Sequence, residues 1–383
     1  MKKIKEKNKQ KEKRRGKNIN WTMVSLSVAL LIVVLAGTIM TIGLKSKFEE
    51  KIAKEKEEAR PAQIELMVIK DPNCGDCFNI DTIVQDVKKK NVNITKSTEF
   101  TVQKSQETIK KYGIDKVPAV IITGETNKIS IKDFSDKNGA LIYTGILPPF
   151  TDPNTMEIKG EVDAILIKSN DCDKCVDLEP LIEQFNKSGV TIKSETILDH
   201  QDLKARDLID KLSIKTLPSI ILSDEIKAYG EEFITTIEKI GFKKEKDSYV
   251  SEVIRPPYLN LTTGKVKGLI TITYLTDDSC TKCYDAESFH KPILKGLGVT
   301  FDKEQRVDIS SEEGKLLVKK YGIKKVPTII LTGDSKLYPN LMNAWAQVGT
   351  VENDETLVFR GMEVIGQVYQ NLDTQEVVNP TRK

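Results

Sequence analysis

Along the chain, the apolar positions form one long unbroken run followed by many short ones. Trp21 to Leu44 is 24 residues without a charge. As a helix it reaches ~36 Å, enough to cross a ~30 Å hydrocarbon core with some tilt. No polar face interrupts the run, so an amphipathic helix on a protein core fits it poorly. Residues 21–44 therefore read as a transmembrane helix. The alternative is a cleaved signal peptide, but the run exceeds the usual apolar region and shows no small-residue cleavage site near its end. Residues 45–60 then hold six Lys/Arg and five Glu, with Glu50 and Lys54 at i,i+4, which predicts a charged helical stalk or else a disordered spacer. From residue 61 the pattern shortens. IELMVI, AILIK and LITITYL read as buried strands, VTIKSETIL as another strand and LKARDLIDKL as a helix. Val176, Leu178, Leu181, Ile182 and Phe185 space as one face of a helix that starts at a Cys pair.

The short elements recur. Three Cys pairs, Cys74/Cys77 in NCGDC, Cys172/Cys175 in DCDKC and Cys280/Cys283 in SCTKC, are offset by 98 and 108 residues. Those periods suit small domains, not a solenoid. An apolar strand precedes each pair. A segment with a strand-initial Pro follows each second Cys by 41, 43 and 44 residues, as KKYGIDKVPAVIITGE, DKLSIKTLPSIILSDE and KKYGIKKVPTIILTGD. A closing segment recurs as PPFTDPNTMEIKG, PPYLNLTTGKVKG and, more weakly, VYQNLDTQEVVN. The expected organisation is a basic tail (1–20), the apolar span (21–44), the stalk (45–60) and three domains at 61–159, 160–267 and 268–383. Strand, helix, strand implies a parallel pair with a right-handed crossover, so each domain is α/β.

Charge changes the picture in one respect. Residues 1–20 carry ten Lys/Arg and two Glu, a net of +8, which leaves −5 for the rest of a chain whose total is +3. The basic balance belongs to the tail, so the folded part carries no nucleic-acid footprint. The same ten cations hold the tail in the cytoplasm and place the domains outside it, as a single-pass membrane protein. Two histidines, His200 and His290, leave little for His-based metal sites or catalysis.

The C-x-x-C pairs and the YGIKKVPT pattern, repeated three times, resemble the thioredoxin superfamily over residues 61–383. Pro180, five residues after Cys175, stands where thioredoxins carry a helix-kinking proline. The resemblance implies a central mixed sheet flanked by helices in each domain. It also implies cis bonds at Val117–Pro118, Leu217–Pro218 and Val326–Pro327, with these loops packed against the Cys pairs. The loop edge then lacks a ladder partner, and an incoming peptide can add to it as a strand. The family's buried carboxylate position holds Val68, Leu166 and Tyr274, and no Trp precedes the first Cys: Asn73, Asp171 and Ser279 stand there. A proton acceptor for the second thiol is therefore missing or comes from elsewhere.

At a helix N-terminus, Cys74, Cys172 and Cys280 are expected as attacking thiolates. Cys77, Cys175 and Cys283, a turn further on and more buried, are expected to resolve the mixed disulfide. Lys174 and Lys282 should favour thiolate at their sites, and Asp76 should oppose it. All six cysteines lie in these pairs, as suits an oxidising compartment. The expected function is a membrane-anchored thiol–disulfide oxidoreductase acting on protein thiols and disulfides outside the cytoplasm, as oxidase, isomerase or reductase, with a redox partner in the membrane. No cofactor or metal is expected, since zinc would need four thiolates that lie in separate domains. The alternative is a peptide-binding scaffold with structural or redox-sensing disulfides.

Overall fold

The computed structural model describes residues 47–380 together with Leu26, Ala29 and Lys45. The apolar span 21–44 and the basic tail therefore lie, but for Leu26 and Ala29, outside the described residues. Among the described residues no helix is long and apolar enough to cross a membrane. By contacts the chain divides into two compact units. The smaller runs up to Val68 and adds Ile80–Glu99 and Val120–Thr144. The larger holds Ile69–Asn79, Phe100–Ala119 and everything from Gly145.

The charged segment is a helix over 47–59. Lys51 and Glu55 lie 4.0 Å apart at i,i+4 on its exposed face. Its end is fixed: Glu57 lies 2.7 Å from Lys128, and Arg60 lies 2.5 Å from Glu125. The Arg60 and Lys128 hydrogen bonds hold the Glu57 carboxyl at about 2, well below the usual carboxylate range.

Three five-stranded sheets follow, the second and third of them mixed. The second runs, edge to edge, Phe242–Glu245, Ser248–Ser251, Ser219–Ser223, Glu161–Lys168 and Thr191–Asp199. Glu161–Lys168 and Thr191–Asp199 are parallel, joined through helix Glu179–Lys187, and the strand after Pro218 lies antiparallel to the first. Phe301–Asp308, Ile270–Thr276, Thr328–Gly333, Leu357–Phe359 and Gly349–Val351 repeat that order in the third sheet. The first sheet runs Val92–Thr101, Ala62–Lys70, Ala119–Gly124, Ala140–Tyr143 and Phe134–Lys137.

Alternation along the strands builds a core on each side of the sheet. Val162, Ala164 and Leu166 meet Ile182, Phe185 and Ile237 on one face. Ile167 and Ile221 meet Ala205, Leu212 and Leu217 on the other. In the third repeat Ile272 and Tyr274 pack with Leu294, Leu341 and Trp345, while Leu275 packs with Tyr321 and Val326.

The Y-G-I stretch before each strand-initial Pro is a helix stop. Gly113 and Gly322 take left-handed C-caps at φ 59° and 58°, and Ser213 takes the same conformation at 55°. The next N–H then turns back: Ile114, Ile214 and Ile323 donate at 3.0 Å to Ile109, Ile209 and Val318. This closes the helix and buries the isoleucine, aiming the chain at the proline.

Candidate active site

Each Cys pair lies in a turn that leaves the first strand of its sheet. Asp71, Ser169 and Asp277, all buried, start these turns. Their carbonyls accept the N–H of Cys74, Cys172 and Cys280 at 3.2, 3.2 and 3.1 Å. All three pairs are closed disulfides. The helices begin only at Asp81, Glu179 and Ala286. The expectation that each pair opens a helix is therefore corrected, and the dipole end lies beyond the second Cys. The reason lies in contacts distant in sequence. The N–H groups of Phe78, Val176 and Tyr284, one residue after the second Cys, donate to Pro149, Pro257 and Val368 carbonyls at 2.9, 2.9 and 3.0 Å. These bonds pull the chain out of helical geometry for several residues. Pro180 accordingly sits in the first turn of its helix instead of kinking it.

The cis bonds lie where the resemblance implies, at Val117–Pro118, Leu217–Pro218 and Val326–Pro327; Pro148–Pro149 and Pro256–Pro257 are also cis. Val117, Leu217 and Val326 are fully buried. Their edge is not open, which corrects the expectation of a free peptide-binding edge. The closing segments fold as hairpins, Tyr258–Asn260 with Lys265–Lys267 and Tyr369–Asn371 with Glu376–Val378. Leu217 pairs with Leu259, and Val326 pairs with Gln370, antiparallel. In the first repeat Val117 N–H donates to Thr151 at 2.9 Å, and Thr151 N–H donates back at 2.7 Å. Leu261 and Leu372 add bonds to the Lys215 and Lys324 carbonyls at 2.9 and 2.8 Å. Each hairpin thus reaches from the residue after the Cys pair to the residue before the cis-proline.

The hairpins of the first two repeats end on the same geometry, at Gly160 and Gly268. Gly160 N–H donates to Glu225 and Gly268 N–H to Asp334, both at 2.9 Å. Tyr229 donates to the Gly160 carbonyl at 2.9 Å, and Tyr338 to that of Gly268 at 2.5 Å. The acidic residue closing each ITGE, LSDE and LTGD run is therefore an anchor, with Glu125 accepting from Gln63 N–H at 2.8 Å in the first repeat. Its repetition in sequence was the available signal.

The three sites are unequal. Cys74 is 8% exposed, whereas Cys77 is half-buried. The expected order of exposure is thus reversed in the first repeat. Cys172, Cys175, Cys280 and Cys283 are all half-buried. Cys77 Sγ lies 3.9 Å from Thr151 Oγ1, and that hydroxyl donates to Asp71 Oδ2 at 2.8 Å. This hydroxyl–carboxylate pair supplies a polar partner for the second sulfur from three residues before the first Cys, not six. In the second repeat Lys174 Nζ is held by Asp302, 2.8 Å from Oδ1 and 3.0 Å from its carbonyl. Its charge is committed there and is less available to Cys172 than the sequence suggests. In the third repeat the Tyr284 hydroxyl lies 3.1 Å from the Pro327 carbonyl and 3.0 Å from His290 Nε2. Burial pushes the His290 imidazole down to about 4 and raises the Tyr284 phenol above its usual value. Among the described residues no group of acidic, Cys or His side chains is arranged to hold a metal.

In the second and third repeats a parallel pair leads into C-x-x-C and a cis-proline strand returns antiparallel beside it, the arrangement of a thioredoxin-like fold, and the first repeat keeps the same strand order. Neither a protein-family profile nor a curated protein matches the chain. Among solved structures it is similar to a protein disulfide oxidoreductase from Aeropyrum pernix k1, at 14% identity over 46% of this chain and 82% of that one, with a TM-score of 0.14. Full-length ERdj5 aligns with 73% of this chain at 10% identity and a TM-score of 0.16, and the chain covers 44% of that structure. A zinc-bound form of human ERp44 aligns with 76% of this chain and 89% of its own length, at 10% identity and a TM-score of 0.14.

Proposed function

We propose that this chain is a thiol–disulfide oxidoreductase anchored by residues 21–44, with residues 1–20 in the cytoplasm and its three thioredoxin-like repeats outside. The observation that carries the reading is the placement of three C-x-x-C disulfides in surface turns beside cis-proline loops. A bridge across two residues closes too small a loop to add much stability, so a structural role accounts for it poorly. A substrate thiolate attacks one sulfur of the closed pair and releases the other as thiolate. A second substrate thiolate then attacks the mixed disulfide, leaving the substrate oxidised and the pair reduced by two electrons. The reverse sequence reduces a substrate disulfide. Turnover requires a thiol–disulfide partner to reset the pair. In the second and third repeats Cys172 and Cys280 are the proposed attacking groups, with Cys175 and Cys283 resolving. In the first, burial of Cys74 favours slower exchange.

Cys175→Ser should leave a reducible covalent adduct through Cys172 on a non-reducing gel, and Cys172→Ser should leave none from that repeat. Adducts forming equally through either residue would refute the assignment. Protease added to intact cells should remove the repeats and spare the tail; protected repeats would reverse the topology. The peptide-scaffold alternative is disfavoured because the edges it needs are filled.

A further inference from the structure

We propose that the three sites take a sulfur presented without an adjoining strand, and gain no backbone pairing from an extended polypeptide, because each repeat fills its own cis-proline edge. This rests on the oxidoreductase reading and names the substrate class of those same sites. Strand addition needs a residue with free N–H and C=O groups on an exposed edge. At Val117 both groups are spent on Thr151. Leu261 to Lys215 and Leu372 to Lys324 are bonded pairs two residues away. Antiparallel pairs alternate between bonded and non-bonded, so Leu217–Leu259 and Val326–Gln370 fall in the bonded phase. All three residues are also fully buried. The other end of the groove is closed as well, since the N–H after each second Cys donates to the closing segment.

The sulfurs are less covered than the edge. Cys172, Cys175, Cys280 and Cys283 remain half-exposed while Leu217 and Val326 are inaccessible. A compact disulfide can therefore reach them where a strand cannot lie alongside. In that exchange the Cys172 thiolate attacks one sulfur of the substrate, a new S–S bond forms, and the leaving thiolate is protonated by water. Cys175 then loses its proton to water and attacks Cys172 Sγ, releasing the second substrate thiol and restoring the bridge.

The test uses the reduced full chain and three probes: bis(2-hydroxyethyl) disulfide, an extended peptide with a central Cys in mixed disulfide with 2-mercaptoethanol, and the same peptide N-methylated at the residues flanking its Cys. Methylation removes the N–H groups that strand addition requires. Mass spectrometry follows re-oxidation of each pair. In the intact chain the two peptides should react within about 2-fold of each other, since no backbone bonds are made. The second and third pairs should also react with the small disulfide faster than the first. Leu259→Pro and Gln370→Pro each remove one N–H from the closing hairpin, and the unmethylated peptide should gain rate at the affected repeat alone. An advantage of about 10-fold or more for the unmethylated peptide in the intact chain, the value of one or two backbone bonds, would overturn the proposal whether or not the variants fold. Failure of every pair to react with any probe would instead remove the oxidoreductase reading, and this inference with it.

Discussion

Gly268→Ala should cost far more stability than Gly264→Ala, although both glycines have positive φ in the closing segment of the second repeat. Gly268 has φ 89°, and an added Cβ would lie 2.3 Å from Pro256 Cβ. Gly264 has φ 65°, and an added Cβ would meet nothing within 4 Å. The left-handed conformation costs a non-glycine residue roughly 1–2 kcal/mol. Forcing a methyl into filled space costs roughly 1–3 kcal/mol more. Gly268→Ala should therefore lose about 2–5 kcal/mol and Gly264→Ala about 1–2 kcal/mol. The proline ring cannot rotate away, and the Gly268 peptide is pinned on both sides by Asp334 and Tyr338. Trp345 lies in the core of the third repeat and is one of two tryptophans; Trp21 is the other. With Trp21→Phe in the background, tryptophan emission reports that repeat alone. At a slope of about 2 kcal/mol/M, the Gly268→Ala midpoint in urea should fall by roughly 1–2.5 M. An unchanged midpoint for Gly268→Ala would refute the claim that Pro256 is held against Gly268.

The third repeat should also weaken in acid. The folded His290 value of about 4 lies below the ordinary 6.5 because burial disfavours the cation. The unfolded chain thus binds the extra proton between these values, and stability is complete above pH 6.5 and falls as pH drops towards 4. The loss is about 3 kcal/mol, and His290→Leu should flatten that part of the Trp345 urea-midpoint profile. Thr151→Val removes a buried hydroxyl from Asp71 and should cost about 1.5–3 kcal/mol. With its hydrogen committed to Asp71, the hydroxyl can only accept from the Cys77 thiol, so its loss should speed alkylation of reduced Cys77 at neutral pH; an unchanged rate would show that the hydroxyl does not serve the sulfur. Asp302→Asn releases Lys174 and should speed iodoacetamide capture of reduced Cys172 near neutral pH while leaving Cys280 as it was. A slower Cys172 would mean that Lys174 acts elsewhere.

The period-2 and period-3.6 patterns made the strands, crossover helices and three-fold repeat legible, because the central strands are mostly buried and each crossover helix buries one face. The parallel pairing and the return of the Pro218 strand to the same sheet follow from those patterns. The local course of the chain at the cysteines did not follow from them. Apolar spacing from Val176 to Phe185 suits a helix throughout, yet a long-range bond from Val176 N–H to Pro257 delays it to Glu179. The closing segments were visible as repeats. Their partner was not, since strand pairing depends on which edge is left free. The reversed exposure at Cys74 and the Lys174–Asp302 contact likewise arise from residues distant in sequence, where local propensity carries no signal.

The position of each closing hairpin has a consequence for how the chain is made. A repeat synthesised from its N-terminus completes its Cys turn and cis-proline strand well before its hairpin exists. During that interval an unpaired edge is presented, and its sister repeats carry segments of the same design. A hairpin could then complete the wrong repeat, a characteristic misassembly of tandem domains. The three pairing segments differ, with Phe150–Thr151, Tyr258–Asn260 and Tyr369–Asn371 meeting different neighbours. Divergence among otherwise equivalent repeats gives each nascent edge its own mate.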